Sequence, residues 1–190
     1  AVPTTLGRTF RAYQSFVKRD IRHLMSAAEE MKSLNLGGTA IGNAINATPE
    51  YLENITAFVS EEVGITFMQA EDLFDATQNV DGFVRVSAAI KTAAVNLSKM
   101  SNDLRLLSSG PRAGIGEINL PAKQNGSSIM PGKVNPVIPE VVSQVAFRVI
   151  GNDLTITMAA ESGQLELNAF EPITFHSLFE SIDCLARAVA

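Results

Sequence analysis

Cysteine and histidine are scarce in this sequence, and their scarcity excludes several classes of protein. Cys184 is the single cysteine, so an internal disulfide framework is excluded. One thiol also suits a reducing compartment, and we expect a cytoplasmic protein. The two histidines, His23 and His176, belong to no group of His, Cys and acidic residues with the spacing of metal ligands. We therefore expect no metal in this region and no cofactor.

Positive charge and long apolar runs are also in short supply. The formal net charge is −5 at pH 7, which argues against nucleic acid as a partner. The most apolar stretch, residues 137–160, is interrupted by Glu140, Arg148 and Asp153, so it does not have the composition of a membrane span. The first residues lack the basic and apolar regions of a signal peptide. A nearly all-apolar helix that does not cross a membrane is typical of the inner helix of a bundle or an oligomer.

Helical periodicity, by contrast, extends over most of the 190 residues. Apolar residues recur at helical intervals, and glycines and prolines separate the periodic segments. With 46% hydrophobic residues the chain can bury one sizeable core. The sequence therefore predicts an all-α fold built as a bundle of long helices. The predicted helices run from an N-cap at Thr4 or Thr5 to about Leu34, from 49 to 63 between Thr48 and Gly64, and over about 70–78, 79–108, 136–160 and 169–190.

One short segment has a conflicting local preference. Residues 155–157, Thr-Ile-Thr, are all β-branched and by propensity alone favour a strand. The surrounding period is helical, and no nearby segment could pair with a strand. We therefore assign these residues to the helix.

Residues able to take part in binding or catalysis are concentrated in the 126–136 loop, which reads Gly-Ser-Ser-Ile-Met-Pro-Gly-Lys-Val-Asn-Pro. Gly126 and Gly132 let the backbone approach a ligand without side-chain obstruction. Successive exposed N–H groups form an anion-binding concavity, and Lys133 adds a full positive charge. The loop therefore suits a carboxylate or phosphate group, with the hydroxyl of Ser127 beside the bound anion.

Two common phosphate-binding loops do not match this stretch. A P-loop has four residues between its glycines and a Ser or Thr after the lysine, whereas here five residues separate the glycines and Val134 follows Lys133. A Rossmann loop needs a preceding strand and a different glycine spacing. Composition alone leaves two interpretations open, an anion-binding loop and an ordinary interhelical turn with solubilising Ser and Lys.

The same loop contains the parts that could make a serine act as a base. A serine hydroxyl becomes a usable base only if its alkoxide is stabilised by N–H donors and a cation. Here Ser127 would be the base and Lys133 the cation, and backbone N–H groups from Ser128 to Met130 would be the donors. Those N–H groups could also hold the negative charge that develops on a substrate carboxylate, as an oxyanion hole does.

The loop resembles, without a gap, the signature loop of the aspartase/fumarase superfamily. Its flanks narrow the resemblance: Asn-Asp-Leu-Arg-Leu-Leu-Ser-Ser-Gly-Pro-Arg-Ala-Gly at 102–114, and Met-Ala-Ala-Glu-Ser-Gly-Gln-Leu-Glu-Leu-Asn at 158–168. The second run is more similar to aspartate ammonia-lyases than to class II fumarases. The resemblance covers essentially the whole chain and implies a long-helix bundle of the aspartase/fumarase type that forms a multi-subunit helical core.

The resemblance implies the reversible deamination of L-aspartate to fumarate and ammonia. Ser127 matches the catalytic serine that abstracts the Cβ proton, which gives an enediolate-like intermediate before ammonia leaves. Thr39 lies in a Gly-Gly-Thr-Ala-Ile-Gly run similar to one near the active-site end of the family's helices, although Asn43 and Ala44 replace the Thr-Gly that normally follows it. The substrate-binding positions that the resemblance suggests are Ser128, Ile129, Met130, Lys133, Asn135 and Thr39.

Glu140 matches a catalytic position that pairs with a histidine in the family, although the residue alone would suit any helix N-terminus. The matching histidine belongs to a Gly-Arg-Thr-His-type segment, which we expect before residue 1, and a Ser-Gln-Ser-Thr-Asn-like substrate loop is expected further upstream. Neither His23 nor His176 matches that histidine. We therefore expect residues 1–190 to be the central helical-bundle domain of a longer protein, without its N-terminal and C-terminal domains.

The resemblance also implies a homotetramer in which segments of three subunits assemble each active site. On that basis the isolated 190-residue chain would have little or no activity. L-aspartate or fumarate would be its small-molecule partner, with no nucleic acid and no membrane. Two other interpretations stay open: a fumarase-type hydratase of the same superfamily, and an inactive helical assembly module.

Overall fold

Helices make up most of the structure, a computed structural model that describes residues 2–190. This confirms the all-α prediction, and residues 155–157 are helical as assigned. The two strands among the described residues are only two residues long each. In chain order the elements are α1 (Leu6–Glu30), β1 (Ser33–Leu34), α2 (Pro49–Val63), β2 (Met68–Gln69), α3 (Leu73–Gln78), α4 (Asp81–Leu107), α5 (Val137–Glu161) and α6 (Glu171–Val189).

Capping residues account for three of these helix ends. The side chain of Thr5 accepts the N–H of Arg8 at 3.3 Å before α1. The side chain of Thr48 accepts the N–H of Tyr51 at 3.3 Å before α2. Gly64 ends α2 in the left-handed conformation with φ of 72°, which glycine adopts at little cost. Both predicted ends of α2 are therefore confirmed.

The first helix ends earlier than periodicity predicted. Helix was expected to about Leu34, but α1 ends at Glu30. The backbone that follows pairs with a distant segment instead: the Met68 N–H donates to the Lys32 carbonyl at 2.8 Å, and the Ala70 N–H donates to the Leu34 carbonyl at 2.8 Å. Parallel pairing of β1 with β2 therefore takes up carbonyls at the predicted helix end. Helix α3 was predicted from residue 70 but begins at Leu73, because the side chain of Asp72 caps it by accepting the N–H groups of Phe74 and Asp75.

The structure divides into two compact units, each made from several chain segments. The first unit comprises the residues up to Ile21, Ile90–Gly151 and Ser181–Ala190. The second unit comprises Arg22–Ala89 and Asn152–Glu180. The 126–136 loop therefore belongs to the first unit, whereas β1, β2, α2 and α3 belong to the second.

Two polar contacts set the register of α1 against α4 in the first unit. The Tyr13 hydroxyl donates to Asp103 Oδ2 at 2.8 Å. The Asn96 amide donates to the two carboxylate oxygens of Asp20 at 2.9 and 3.0 Å. The contacts lie about two helical turns apart on both helices and run in opposite order, so this pair of segments is antiparallel. The apolar core of the unit includes Tyr13, Ile90, Ala93, Ala94, Ala146 and Val149.

A buried amide connects α5 to α6 in the second unit. Asn152 donates to the Ser177 carbonyl at 3.2 Å and to Glu180 Oε2 at 2.8 Å. The Ser87 hydroxyl of α4 donates to the buried carboxylate of Asp153 at 2.8 Å. These bonds satisfy polar groups that would otherwise be costly to bury. The apolar core of the unit includes Ala27, Val80, Ile156, Ala159 and Leu178.

Several large apolar side chains of α5 remain accessible. Phe147 is 64% exposed, Leu154 61% and Met158 58%. None of the helices in residues 2–190 combines the length and apolar character that crossing a membrane requires. Accessible apolar side chains of this number on one helix indicate a surface that another protein surface can cover.

Candidate functional site

Main-chain hydrogen bonds close the 126–136 loop at its base. The Gly126 N–H donates to the Lys133 carbonyl at 2.8 Å, and the residues on either side of this pair form an isolated antiparallel bridge. Near the tip, the Lys133 N–H donates to the Met130 carbonyl at 3.2 Å, and Gly132 has φ of 79°, in the left-handed region. The loop is therefore a tight turn that returns Lys133 to a position beside Gly126.

Gly126 has little space for a side chain. A Cβ at this position would lie 2.8 Å from Asn135 Oδ1 and 3.1 Å from Lys133 Cγ. The side chains of Asn135 and Lys133 therefore pack across Gly126, which precedes Ser127 in the chain. The structure thus brings three predicted site residues into one neighbourhood: Ser127, Lys133 and Asn135.

The hydroxyl oxygen of Ser127 accepts the N–H of Ile129 at 3.2 Å. An N–H that points at this oxygen stabilises negative charge on it. The N–H groups of Ser128 and Met130 have no hydrogen-bond partner within the part of the chain that the structure describes. The predicted donor set is therefore divided, with Ile129 bonded to the serine oxygen and its two neighbours unpaired.

The loop lies at the surface and not in the helical core. Ser127 and Asn135 are half-buried, whereas Ser128 and Lys133 are exposed. The apolar pair at 129–130 is 83% and 47% exposed. A small anion in solution can therefore reach the backbone amides and the ammonium group of this loop.

Glu140 lies in the first turn of α5, just after the loop. Its N–H donates to the Pro136 carbonyl at 3.2 Å, which connects the helix to the end of the loop. Its carboxylate Oε1 lies 3.9 Å from Nη2 of Arg105, in the last turn of α4. Sequence reasoning did not single out Arg105. The sequence shows only a basic residue near the C-terminus of a predicted helix. Basic residues are favourable at this position in many helices, so the sequence does not identify a partner for Arg105.

Thr39 belongs to the second unit, whereas the loop belongs to the first. It is exposed, and its φ of 58° lies in the left-handed region that a β-branched residue rarely adopts. Backbone strain of this kind is often found at functional sites. The role of Thr39 as a residue that lines a substrate site stays a prediction.

The two histidines are both exposed residues of the second unit, His23 on α1 and His176 on α6. Within residues 2–190, no group of three or more His, Cys, Asp and Glu side chains could hold a metal ion.

A cavity of about 640 Å³ is also present in the first unit, and none of its lining residues belongs to the 126–136 loop. Tyr13 and Asp103 are part of its wall. Burial, followed by the hydrogen bond to Asp103, raises the pKa of Tyr13 to about 12. Burial opposes ionisation of Asp103, but hydrogen bonds from Lys99 and Tyr13 outweigh it and lower the pKa of Asp103. The cavity is lined by Thr4, Thr5, Leu6, Thr9, Tyr13, Asp103, Leu106, Leu107 and Glu117.

Known sequences share the pattern of this chain over its whole length. The lyase family matches residues 1–151. The chain is 56% identical over 189 residues to an aspartate ammonia-lyase of Helicobacter pylori, covering 100% of this chain and 40% of that protein. It is 52% identical over 188 residues to the aspartate ammonia-lyase of Escherichia coli, covering 99% of this chain and 39% of that protein. The chain thus spans about 40% of the length of the curated relatives that it matches.

Solved structures share the fold. A fumarate lyase:delta crystallin of Brucella melitensis bound to cobalt matches with a TM-score of 0.95 and 53% identity, covering 99% of this chain and 41% of that one. A class II fumarase of Schistosoma mansoni matches with a TM-score of 0.96 and 33% identity, covering 99% of this chain and 42% of that one. Both structures therefore share the backbone fold of this chain, but the Brucella protein is more similar to it in sequence.

Proposed function

The chain belongs to the aspartase/fumarase superfamily of lyases, and from this membership we propose that residues 1–190 are the central helical-bundle domain of an aspartate ammonia-lyase. The complete polypeptide would convert L-aspartate reversibly to fumarate and ammonia. The observation that carries the proposal is the 126–136 loop, where a serine oxygen accepts a backbone N–H and two neighbouring N–H groups are unpaired. The identity of 56% to an aspartate ammonia-lyase, against 33% to a class II fumarase, favours aspartate as substrate.

The first chemical step is removal of a proton from Cβ of L-aspartate by the Ser127 alkoxide. The Ile129 N–H donates to this oxygen at 3.2 Å, and Lys133 supplies a positive charge from the neighbouring strand of the turn. Both favour the alkoxide over the hydroxyl, because each interacts more strongly with the charged form. Ser127 gains the proton and becomes neutral.

The electron pair left on Cβ is delocalised into the adjacent carboxylate, which then carries a second negative charge. Unpaired backbone N–H groups and an ammonium are the donors that stabilise such charge. Here we assign that role to the N–H groups of Ser128 and Met130, to Lys133 and to the amide of Asn135. The Cα–N bond then breaks, the Cβ electron pair forms the double bond, and the ammonium group leaves as neutral ammonia.

Glu140 is proposed to orient a histidine supplied by a segment outside residues 1–190. Its position supports this, because its main chain is hydrogen-bonded to the end of the loop at 3.2 Å while its carboxylate reaches Arg105. Thr39 is proposed to line a substrate site.

The assembly proposed is a cytoplasmic homotetramer whose active sites are shared between subunits. The accessible apolar side chains of α5 support association, because Phe147 alone leaves 64% of its surface uncovered. Burial of such side chains between subunits is favourable by about 25 cal/mol per Å² of apolar surface. An active site shared between subunits also agrees with the sequence of this chain, which has the loop and Glu140 but has no histidine that matches the family pattern.

Replacing Ser127 with Ala in the complete polypeptide tests the mechanism. We expect kcat for fumarate formation from L-aspartate to fall by roughly 10²–10⁴-fold, the usual contribution of a general base. Ser15→Ala is the matched control, because its exposed hydroxyl only bonds the Arg11 carbonyl at 2.9 Å. Activity that survives Ser127→Ala while the control is normal would remove the serine-base mechanism.

The same preparation separates the two substrate classes. Fumarate formation from L-malate, measured beside that from L-aspartate, distinguishes a fumarase-type hydratase from an ammonia-lyase. We expect aspartate to react and malate not to react. Reaction with malate and not with aspartate would contradict the assignment of aspartate as substrate but not the membership of the superfamily.

A further inference from the structure

We propose that Arg105 is a positioning residue that holds the carboxylate of Glu140 for the elimination reaction. This inference rests on the proposed function, in which Glu140 orients a histidine. Arg105 lies in the last turn of α4, and Glu140 lies in the first turn of α5. Each side chain is therefore at the helix end that favours its charge, so the pair joins two helix ends of complementary polarity.

Within the described residues, the side chains of Arg105 and Glu140 form an ion pair only with each other. Nη2 of Arg105 lies 3.9 Å from Oε1 of Glu140. Across residues 2–190, neither side chain makes a further hydrogen bond or ion pair. The side chains are 42% and 33% exposed, and water screens an ion pair at this exposure so that it adds little to folding stability. The contact therefore has more effect on where the Glu140 carboxylate lies than on whether the chain folds.

The separation leaves room for a second partner. A distance of 3.9 Å is too long for a direct hydrogen bond. The carboxylate oxygens thus keep their lone pairs for another donor, such as the imidazole in the proposed mechanism. A fixed positive charge on one side of the carboxylate would turn it towards one set of rotamers without occupying the oxygens that the imidazole needs.

Hydrogen bonds on both sides of Arg105 hold the C-terminal end of α4 in place. Two residues before Arg105, Asp103 accepts the Tyr13 hydroxyl of α1 at 2.8 Å. Beyond the helix, the Glu117 N–H donates a hydrogen bond to the Leu107 carbonyl at 2.9 Å. The last turn of α4 is therefore tied on both sides of Arg105, which is the support that a positioning side chain requires.

The test compares Arg105→Gln with Arg85→Gln in the complete polypeptide. Arg85 is a matched control, because it also lies on α4 and pairs with a glutamate, Glu30 of α1. We expect Arg105→Gln to lower kcat roughly tenfold with KM within about twofold, since small misplacement of a catalytic group can cost up to 10²-fold. Arg105→Lys keeps the charge and should recover part of the loss. Arg85→Gln should leave both constants unchanged.

A double-mutant cycle shows whether Arg105 acts through Glu140. In a Glu140→Gln background, Arg105→Gln should cause no further loss of kcat, because the group it positions is already absent. A second, independent loss in that background, or equal losses in Arg105→Gln and Arg85→Gln, would overturn the inference. If Ser127→Ala is inactive while Arg105→Gln has normal kcat, this inference fails and the proposed function stands. Activity in Ser127→Ala would instead reject the serine mechanism itself.

Discussion

Among single residues, Tyr13 has a pKa well outside its ordinary range. It is 7% exposed, and its hydroxyl donates to Asp103 at 2.8 Å. Burial and this hydrogen bond raise its pKa from 10.0 to about 12. The folded protein therefore favours the neutral phenol, and the unfolded chain loses the proton at lower pH. By linkage, this contribution to stability decreases as pH rises.

Replacing Tyr13 with Phe should remove that part of the pH dependence. In the original chain the contribution is complete below about pH 10 and is lost between about pH 10 and 12. At neutral pH the variant should lose about 1 kcal/mol of unfolding free energy, because it lacks one hydrogen bond. Denaturant titrations of both chains at neutral pH and above pH 10 measure the difference. Identical declines with pH in the two chains would contradict the assignment to Tyr13.

At the scale of elements, the end of α5 depends on one side chain. Asn168 donates to the carbonyls of Ala159 and Ala160 at 3.0 and 3.2 Å, and its own oxygen accepts the Phe170 N–H at 2.8 Å. It is 3% exposed, and its bond to the Ala159 carbonyl is buried, while the other two bonds are part-buried. Carbonyls at a helix C-terminus have no partner inside the helix and need one from elsewhere. The amide therefore ends one long helix and prepares the start of the next.

Asn168→Ala should destabilise the chain by about 2–3 kcal/mol, because two carbonyls at the end of α5, one of them buried, and the Phe170 N–H lose their partners. Asn54→Ala is the control: its amide also bonds a helix carbonyl, that of Glu50 at 2.8 Å, but at an exposed position. The control should change the unfolding free energy by no more than about 0.5 kcal/mol. Denaturant unfolding of the two variants measures both values. Similar small changes in both would show that the Asn168 bonds are replaced by water.

Elements with strong local signals were the ones that the sequence predicted. Thr48 and Gly64 act within a few residues of the ends of α2, so both ends were correct. The end of α1 was wrong, because the β1–β2 pairing depends on a segment far along the chain. Two-residue strands have no alternation that a sequence pattern could reveal. The loop and Glu140 could be proposed from residue types and resemblance, whereas the Arg105 contact required the tertiary arrangement of α4 and α5.

At the scale of the whole molecule, the chain leaves much of its apolar surface uncovered. On α5, Phe147 is 64% exposed and Leu154 61%. Such side chains are usually buried when a helix is apolar on most of its surface. The proposed tetramer would cover them and would also bring the segments of a shared site together. Lyase activity should therefore depend on association of several subunits.

The 190-residue chain expressed alone should form little or no fumarate from L-aspartate, whereas the complete polypeptide should be active. The reason is that we expect the histidine and the upstream substrate loop of the proposed site to come from segments other than these residues. Fumarate formation by equal molar amounts of both, with oligomeric state followed by light scattering, provides the comparison. Comparable activity from the short chain would contradict a site assembled from several segments.

The α1–α4 contacts have a consequence for how this region can change in evolution. Tyr13 with Asp103, and Asp20 with Asn96, keep the same spacing on both helices. One inserted residue between Tyr13 and Asp20 would rotate the second pair by about 100° around the helix axis and separate it. Deletions would do the same. Descendants of this sequence should therefore accumulate substitutions in these helices while conserving their lengths, and insertions should be confined to the connecting segments.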